Sequence, residues 1–469
     1  MKQLRHNCGL AVTHTLHDAY SFIKSLQHRG REACGIAAIG STIDVVKWAG
    51  NVSKVDLVDL YKLLPSQNYH MFLAHVRYAT HGREDKVVED AHPHVIGGKI
   101  INNGDHIIIK DCDAVIVHNG QVDVKEVFGF DDGECDTKKI LAEYWNHESH
   151  DLIKKIPGSY TLAIADKRRK EIIVMRDKFA LKPGVLGLKD GKYCIASEDI
   201  ALKENGAGFI EELRPGSIYY LSYDGGYRRR DVALPTPKHC FFEWNYIAEL
   251  NSVLNGVGVR RVREELGKEM AKEFPLKEAD IITFLPRCPE VAARAYARAL
   301  KVESKFIPLF YKLRGERSFQ GTNKADRSNS IRSNLHLIPD KNSLNGKTIV
   351  LIDDSTIRGN NCKRARELLM KAGAKKIYLL NYTPRIGIIG SDKIKRGCLF
   401  GVDMPPSDEF VVRTNDSKRN RTDKEISQEL GMQTFFLSPE GLFKVFERLG
   451  IPRKNLCSFC IGGSHPFKD

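Results

Sequence analysis

The chain has 469 residues, 42% of them hydrophobic and 28% charged, which predicts a soluble globular protein of two or three domains. Its 73 basic and 59 acidic residues give a formal charge of +14, yet the basic residues are dispersed along the chain. This dispersal indicates a solvated basic surface, although a polyanionic partner or anionic small molecules would also suit the charge. We expect no nucleic-acid partner, because zinc-finger spacing, a basic-aromatic RNA motif and a long basic tail are all missing from the sequence.

The compartment can be predicted from two further features. No run of about 18 apolar residues is present to span a membrane, and residues 1–7 lack the apolar stretch of a secretory signal. We therefore expect a cytoplasmic protein. Because cytoplasmic thiols stay reduced, the 11 cysteines indicate metal, cluster or nucleophilic roles rather than a disulfide framework.

The amino-terminal half, up to residue 230, consists of short apolar runs broken by Gly or Asp, a pattern typical of strands in stacked antiparallel sheets. The clearest predicted strands are residues 114–118, 160–165, 171–175 and 217–221. Two further stretches, residues 17–28 and 136–147, predict helices.

The pattern changes across residues 232–256 and then alternates strands with amphipathic helices, which predicts a parallel sheet flanked by helices. The predicted strands are residues 280–285, 348–352 and 376–381, and the predicted helices are residues 259–272, 290–300 and 363–372. Residues 315–334 are polar and predict a mobile loop inside this second domain. The chain ends in a polar tail.

Cys8 opens the first apolar strand and is a candidate nucleophile. A thiol attacks an amide when a base takes its proton, and a free α-amine, with a pKa of about 7.7–8.0, can be that base. This mechanism requires cleavage after Asn7, so that residues 1–7 form a propeptide. By itself, a cysteine in this position is more often a small buried side chain than a nucleophile.

Short motifs downstream support the nucleophilic interpretation. In chain order they are Gln27-His28-Arg29-Gly30, His75-Val76-Arg77-Tyr78-Ala79-Thr80, His118-Asn119-Gly120, Cys135-Asp136-Thr137 and Ala196-Ser197-Glu198. This set resembles the motifs of class II, or N-terminal nucleophile, glutamine amidotransferases. The resemblance implies a four-layer αββα domain over residues 8–235 that hydrolyses glutamine.

The resemblance also implies a role for each matched residue. Arg77 would pair with the glutamine α-carboxylate, a task that suits a planar guanidinium. Asn119 and the Gly120 amide would form the oxyanion hole, and Asp136 would hold the α-ammonium group. Lys138 stands where the family has an acid, but Asp136 itself is retained.

A second motif follows the predicted strand at residues 348–352, where the chain reads Asp353-Asp354-Ser355-Thr356-Ile357-Arg358-Gly359-Asn360-Asn361 before a helix. A strand-loop-helix junction offers backbone N–H groups and a helix N-terminus to an anion. The adjacent carboxylates could bind sugar hydroxyls or a divalent ion. An ordinary strand-to-helix turn is the alternative.

This loop resembles that of type I phosphoribosyltransferases, and among them that of the amidophosphoribosyltransferases of purine synthesis. The resemblance implies an α/β domain over residues 255–445 that uses phosphoribosyl pyrophosphate and Mg²⁺. Asp353 and Asp354 would bind the ribose hydroxyls and Mg²⁺. The 5′-phosphate would be bound by Ser355, Thr356, Arg358, Gly359, Asn360 and Asn361.

Three departures from this family concern the acceptor half. Asn360-Asn361 replaces a hydroxyl pair, although amide side chains can still donate hydrogen bonds. Pro286-Arg287-Cys288-Pro289 replaces a loop that carries an acid, a hydroxyl and a glycine, and Cys288 is a poor ligand for Mg²⁺. Residues 314–335 are basic, as in the closing loop of the family, without matching its pattern.

Four cysteines lie in contexts that resemble those of the cluster-bearing members of this family: Cys240, Cys398, Cys457 and Cys460. The resemblance implies a [4Fe–4S] cluster that fixes the tail, residues 446–469, to the domain junction. Zn²⁺ is an alternative ligand for four thiolates, and unrelated buried cysteines are another. We expect the other cysteines beyond Cys8 to be packing residues.

The two motif sets together predict a two-domain protein of mixed α+β and α/β class. Its expected activity is glutamine-dependent transfer of ammonia to phosphoribosyl pyrophosphate, giving 5-phosphoribosylamine in the first step of de novo purine synthesis. A paralogue with a different phosphorylated acceptor and a non-catalytic nucleotide-binding regulator are the alternatives. The resemblance implies a homodimer or homotetramer.

Overall fold

The computed structural model describes residues 8–65, 67, 69–78, 87–102, 104, 106–122, 135–147, 154, 156, 158–312, 335–338, 344–402 and 404–467. The predicted propeptide, residues 1–7, and the predicted mobile loop, residues 315–334, lie outside this part of the chain. Among the described residues, no helix has the length and apolar character needed to cross a membrane.

The amino-terminal domain is built on antiparallel strands. These are β1 (Gly9–Thr13), β2 (Ala33–Gly40), β3 (Ile43–Ala49), β4 (Tyr69–Arg77), β5 (His94–Asn102), β6 (His106–Val122), β7 (Gly158–Asp166), β8 (Glu171–Arg176), β9 (Val185–Lys189), β10 (Lys192–Ala196), β11 (Gly208–Glu212), β12 (Ser217–Ser222) and β13 (Tyr227–Asp231). Their hydrogen-bonded order is β11-β9-β10-β1-β4-β2-β3-β6-β7-β8-β12-β13, with β5 beside β6. The helices are α1 (Leu16–Ser25), α2 (Leu57–Leu63), α3 (Asp136–His147) and α4 (Asp199–Glu204).

The long strand β6 belongs to two sheets. Its first part pairs with β3, and the part from residue 114 onward pairs with β7. One buried hydrophobic cluster lies between the two sheets. Each sheet also has a cluster on its other face, where it packs against its own helices. Alternation along β1 shows the layering, because Leu10 and Val12 belong to the inner cluster and Ala11 to the helix side. This arrangement confirms the predicted αββα layers.

The carboxy-terminal domain contains a parallel sheet. Its strands, in the order β17-β20-β21-β22, are Ile281–Phe284, Thr348–Asp353, Lys376–Asn381 and Gln433–Phe436. The flanking helices are α5 (Val259–Glu273), α6 (Glu290–Ala299), α7 (Asn360–Lys371), α8 (Asp423–Leu430) and α9 (Pro439–Arg448). The short strands are β14 (His239–Cys240), β15 (Val253–Leu254), β16 (Val257–Gly258), β18 (Phe310–Lys312), β19 (Leu335–Leu337) and β23 (Leu456–Cys457). In such sheets ligands bind at the carboxyl ends of the strands.

The helix predicted from residue 363 begins earlier, at Asn360. Gly359 precedes it with a φ of 80°, a left-handed conformation that glycine adopts without a steric penalty. The chain therefore turns into the helix at Gly359, and Asn360 and Asn361 form its first turn. They leave the loop but stay at the helix N-terminus, where anions bind.

Residues 239–252, the junction segment, lie between the two domains. Cys240 pairs with Cys457 in a parallel two-stranded ladder, which fixes the tail to this segment. A π-helical turn, Glu243–Ile247, follows. Arg263 of α5 donates to the Trp244 carbonyl at 2.9 Å, and the Asn245 amide donates to the Thr383 hydroxyl at 3.0 Å. The junction segment is therefore held firmly against the carboxy-terminal domain.

Candidate active site

Cys8 stands at the start of β1 and is fully buried. Strand β1 pairs with β4 on one side and β10 on the other. The Arg29 Nε donates to the Cys8 carbonyl at 2.9 Å, and the Leu10 N–H donates to the Ser197 hydroxyl at 3.0 Å. The backbone on both sides of the thiol is thus held by side chains from other elements.

Burial raises the pKa of the Cys8 thiol to about 11. A backbone hydrogen bond with Tyr78 and the charges of Arg77, Lys182 and Arg29 act in the opposite direction, but they do not compensate for desolvation. At neutral pH the thiol is therefore protonated, and a nucleophilic role requires a base close to the sulfur.

Asn119 and Gly120 lie inside β6 rather than in a turn. Both polar atoms of the Asn119 amide are buried, and neither has a hydrogen-bond partner among the described residues. Only glycine fits the next position, since a Cβ on Gly120 would lie 1.9 Å from the Ser159 carbonyl oxygen. A buried amide without a partner is costly in a folded protein, so this pair is poised for an external ligand.

Arg77 ends β4 and is 1% exposed. Its Nη1 donates to the Val87 carbonyl at 3.1 Å, whereas its Nε and Nη2 have no hydrogen-bond partner among the described residues. A hydrogen bond of 3.1 Å between the His75 ring and the His118 carbonyl brings β4 close to β6. The Arg77 Nη2 also lies 3.9 Å from an Asp90 carboxylate oxygen, beyond hydrogen-bond distance. Arg77 therefore ends a strand that contacts β6 and keeps two donors without a hydrogen-bond partner among the described residues.

Asp136 begins α3 and is buried. Its carboxylate accepts hydrogen bonds from the Val122 N–H at 3.0 Å and the Thr137 N–H at 2.7 Å. These bonds fix its orientation and leave lone pairs for a further donor. Asp136 is tied in this way to the end of β6, the strand that carries Asn119.

Asp353 ends β20, and the loop to α7 is organised around its carboxylate. The Asp354 N–H donates to one Asp353 oxygen at 2.9 Å, and the Cys362 thiol donates to the other at 3.3 Å. The Thr356 hydroxyl donates to the Asn381 side chain at 2.6 Å, which anchors the loop to β21. Beyond it, Arg358 forms an ion pair with Asp408.

The two adjacent carboxyl groups are both buried, and burial raises their pKa values. For Asp354 the neighbouring charge of Asp353 raises the pKa further. Two carboxylates at this spacing favour a divalent cation or hydroxyl donors as ligands. Among the described residues, no group of three or more His, Cys, Asp or Glu side chains is arranged to hold a metal ion by itself.

The sequence did not identify Lys312, at the end of β18, as a site residue. Burial lowers the pKa of its ammonium group, and Asp353 and Asp354 are the main charges that oppose this shift. The loop between β17 and α6 contains a cis peptide between Pro286 and Arg287, and the Cys288 thiol donates to the Tyr246 carbonyl at 3.6 Å. Our prediction that Cys288 and Cys362 serve only in packing missed these contacts.

The four cysteines of the predicted cluster site, Cys240, Cys398, Cys457 and Cys460, line one cavity together with Leu181, Lys182, Phe242, Gly397, Phe400, Val402 and Met404. All four are free thiols. The Cys398 sulfur accepts backbone N–H bonds from Phe400 and Val402, both at 3.3 Å. N–H donors of this kind stabilise a thiolate ligand.

The chain is similar to known proteins over nearly its full length. Residues 102–204 match the family model of a glutamine amidotransferase domain. The amidophosphoribosyltransferase of Methanocaldococcus jannaschii is 30% identical over 95% of this chain and 93% of its own. The enzyme of the same name from Archaeoglobus fulgidus is 28% identical over 96% and 94%.

A solved structure gives the same result. The glutamine phosphoribosylpyrophosphate amidotransferase from B. subtilis, complexed with ADP and GMP, superposes with a TM-score of 0.78 and 25% identity, covering 98% of this chain and 97% of the other. A structure described as the allosteric regulatory enzyme of purine biosynthesis gives a TM-score of 0.79 at 25% identity, with coverages of 98% and 96%. Because it matches these relatives in sequence over nearly its full length and these structures in fold, the chain belongs to the amidophosphoribosyltransferase family of enzymes.

Proposed function

We propose that this enzyme hydrolyses glutamine and uses the ammonia to displace pyrophosphate from phosphoribosyl pyrophosphate. The products are glutamate, 5-phosphoribosylamine and pyrophosphate, and the reaction begins de novo purine synthesis. The observation that carries the proposal is the presence in one chain of a buried thiol, a buried Asn119 amide with no hydrogen-bond partner among the residues that the structure describes, and the Asp353-Asp354 loop.

In the glutamine half, the Cys8 sulfur attacks the side-chain amide carbon and ammonia leaves, which gives a thioester that water hydrolyses to glutamate. The Asn119 amide and the Gly120 N–H would stabilise the oxyanion formed by this attack. Arg77 would bind the α-carboxylate with its unused donors, and Asp136 would bind the α-ammonium group.

The base for this attack is the α-amine of Cys8, freed by removal of residues 1–7. The cationic surroundings of Cys8 support this proposal, because Arg77, Lys182 and Arg29 lower the pKa of the thiol but cannot accept its proton. The intact mass of the active protein should therefore correspond to a chain whose first residue is Cys8. Active protein that still carried Met1 or Lys2 would contradict this base.

In the acceptor half, Asp353 and Asp354 would bind the ribose hydroxyls, and residues 355–361 would bind the 5′-phosphate through the loop and the α7 N-terminus. Their buried carboxyl oxygens also suit Mg²⁺, which supplies charge neutralisation at pyrophosphate when bound. Lys312, close to both carboxylates, is a further cation for this site.

The four-cysteine cavity would hold a [4Fe–4S] cluster. Such a cluster takes one thiolate at each of its four irons, so its ligands surround a cavity instead of meeting at one ion. Protein purified without oxygen should contain about four iron atoms and four sulfides per chain. Stoichiometric zinc without sulfide would contradict the cluster.

The activity itself can be tested with processed, cluster-loaded protein given glutamine, Mg²⁺ and phosphoribosyl pyrophosphate. We expect glutamate and pyrophosphate to be released in equal amounts. Glutamate without pyrophosphate would indicate a different phosphorylated acceptor, as the altered residues 286–289 allow. Release of neither product would indicate a nucleotide-binding regulator.

A further inference from the structure

Arg29, Glu198 and Glu243 form one buried ion network. Arg29 is fully buried, and its Nη1 and Nη2 donate to the two Glu243 oxygens at 3.0 and 3.1 Å. Its Nη1 also donates to Glu198, and its Nε donates to the Cys8 carbonyl at 2.9 Å. The guanidinium therefore connects two carboxylates to the backbone of the nucleophile.

The two carboxylates come from different parts of the molecule. Glu198 follows β10 in the amino-terminal domain and also accepts hydrogen bonds from His28 at 2.8 Å and the Ser252 hydroxyl at 2.6 Å. Glu243 lies on the π-helical turn of the junction segment, three residues after Cys240. Lys182, which lines the cysteine cavity, is 3.7 Å from Glu243. The network thus joins the junction segment to β1.

The geometry of guanidinium explains what this network can do. Its donors lie in one plane in fixed directions, so two carboxylates that bind the terminal nitrogens also set the direction of Nε. With Nε fixed toward the Cys8 carbonyl, the position of Cys8 depends on Glu243. Since Glu243 is 2% exposed, removing its charge leaves the buried Arg29 guanidinium with one carboxylate partner fewer.

We propose that Glu243 is a positioning residue for the glutaminase reaction, acting through Arg29 on the backbone of Cys8. The junction segment, which is held against the carboxy-terminal domain, thereby fixes the nucleophile of the amino-terminal domain. This inference rests on the proposed role of Cys8. The proposal gives a chemical role to Glu243, the acidic residue three positions after Cys240.

The test is Glu243→Gln, which keeps the size of the side chain and removes its charge. A displacement of about 1 Å at a reacting group costs about 10²-fold in rate, so we expect kcat for glutamate release to fall by about 10- to 100-fold. The rate of Cys8 alkylation by a diazoketone analogue of glutamine should fall by the same factor. The KM for glutamine should change little, because Arg77 and Asp136 are untouched.

Glu243→Asp provides the conservative comparison, since it keeps the charge and should recover part of both rates. Asp199→Asn is the matched control. Asp199 is buried and accepts from the Val253 N–H at 2.8 Å, close to the same junction, but its described partners, Val253 and Lys203, do not include Arg29. In Asp199→Asn, Cys8 should be alkylated at the same rate as in the wild type.

Ammonia-dependent release of pyrophosphate bypasses Cys8 and should be retained in Glu243→Gln. A folded Glu243→Gln protein that is alkylated at the wild-type rate would overturn the inference. So would parallel losses of alkylation and ammonia-dependent activity, which indicate unfolding alone. If the wild type releases no pyrophosphate, the acceptor proposal fails, while the alkylation rates still test Glu243.

Discussion

At the scale of single residues, the proposed glutamine site combines a buried thiol with buried polar groups that lack hydrogen-bond partners in the described part of the chain. The Asn119 amide and two nitrogens of Arg77 lack hydrogen-bond partners among the described residues. Such groups reduce the stability of the folded protein by about 1–3 kcal/mol each. A substrate that satisfies them would gain this energy on binding.

Replacing Asn119 by Ala should remove one donor to the oxyanion. We expect kcat for glutamate release to fall by about 10²–10³-fold, with a small change in the KM for glutamine, because the donor acts on charge that develops after binding. Steady-state glutaminase assays measure this, with ammonia-dependent pyrophosphate release as the internal control. An unchanged kcat would remove Asn119 from the oxyanion hole.

The Arg77→Lys substitution should act mainly on binding. Lysine keeps the positive charge but loses the planar fork, and a lost hydrogen bond to a charged group costs about 1.5–3 kcal/mol. We therefore expect the KM for glutamine to rise about 10-fold or more. Glutamine titrations measure the effect, and a wild-type KM would show that Arg77 does not contact the α-carboxylate.

The sequence predicted these residues because each lies in a short motif with a specific chemistry. It did not predict Lys312 or the contact of Cys362 with Asp353, since these depend on which strands and helices meet at the carboxyl end of the parallel sheet. Nor could it assign a partner to Glu243, which is 214 residues from Arg29. Long-range contacts of this kind have no local signature.

At the scale of secondary structure, apolar periodicity predicted the existence and type of each helix or strand better than it predicted the residues where the element begins and ends. The strand at residues 376–381 and the helix at residues 136–147 are confirmed at both ends. The early start of α7 was missed because asparagine is a poor helix former, and only the left-handed Gly359 shows where the loop ends. The π-helical turn after Cys240 also has no periodic signal.

The loop from Asp354 to Gly359, for which we propose phosphate binding, gives a prediction at this scale. Gly359→Ala should strain a φ of 80° and place a Cβ 2.4 Å from Leu430, which displaces the loop. We expect the KM for phosphoribosyl pyrophosphate to rise, with a loss of about 1–2 kcal/mol in the free energy of unfolding. Gly346→Ala is the control, because its φ is 71° but no atom of the described residues lies within 4 Å of the added Cβ. Equal KM values in the two variants would contradict a role for the loop.

At the scale of the whole molecule, the two domains are joined by buried charge as well as by apolar contacts. Burial alone would raise the pKa of Glu198, but His28 and Arg29 oppose this and hold it below its usual value of 4.5. A carboxyl with a lowered folded-state pKa stabilises the fold above its unfolded pKa, and this contribution is lost as the pH falls.

The free energy of unfolding should therefore decrease as the pH falls below about 4.5, as Glu198 becomes protonated in the unfolded chain. In Glu198→Gln this part of the decrease should be absent. The free energy of unfolding of the variant should be lower at neutral pH and should fall less steeply as the pH is lowered. Denaturant unfolding at several pH values measures both curves. Identical pH slopes in the two proteins would show that Glu198 does not contribute.

We propose that attack by Cys8 on glutamine releases the ammonia used at a separate acceptor site. Measuring both half-reactions in Cys8→Ala tests this proposal. We expect no glutamate from glutamine, while ammonia still supports pyrophosphate release from phosphoribosyl pyrophosphate at the wild-type rate. Glutamate release at the wild-type rate from this variant would contradict it.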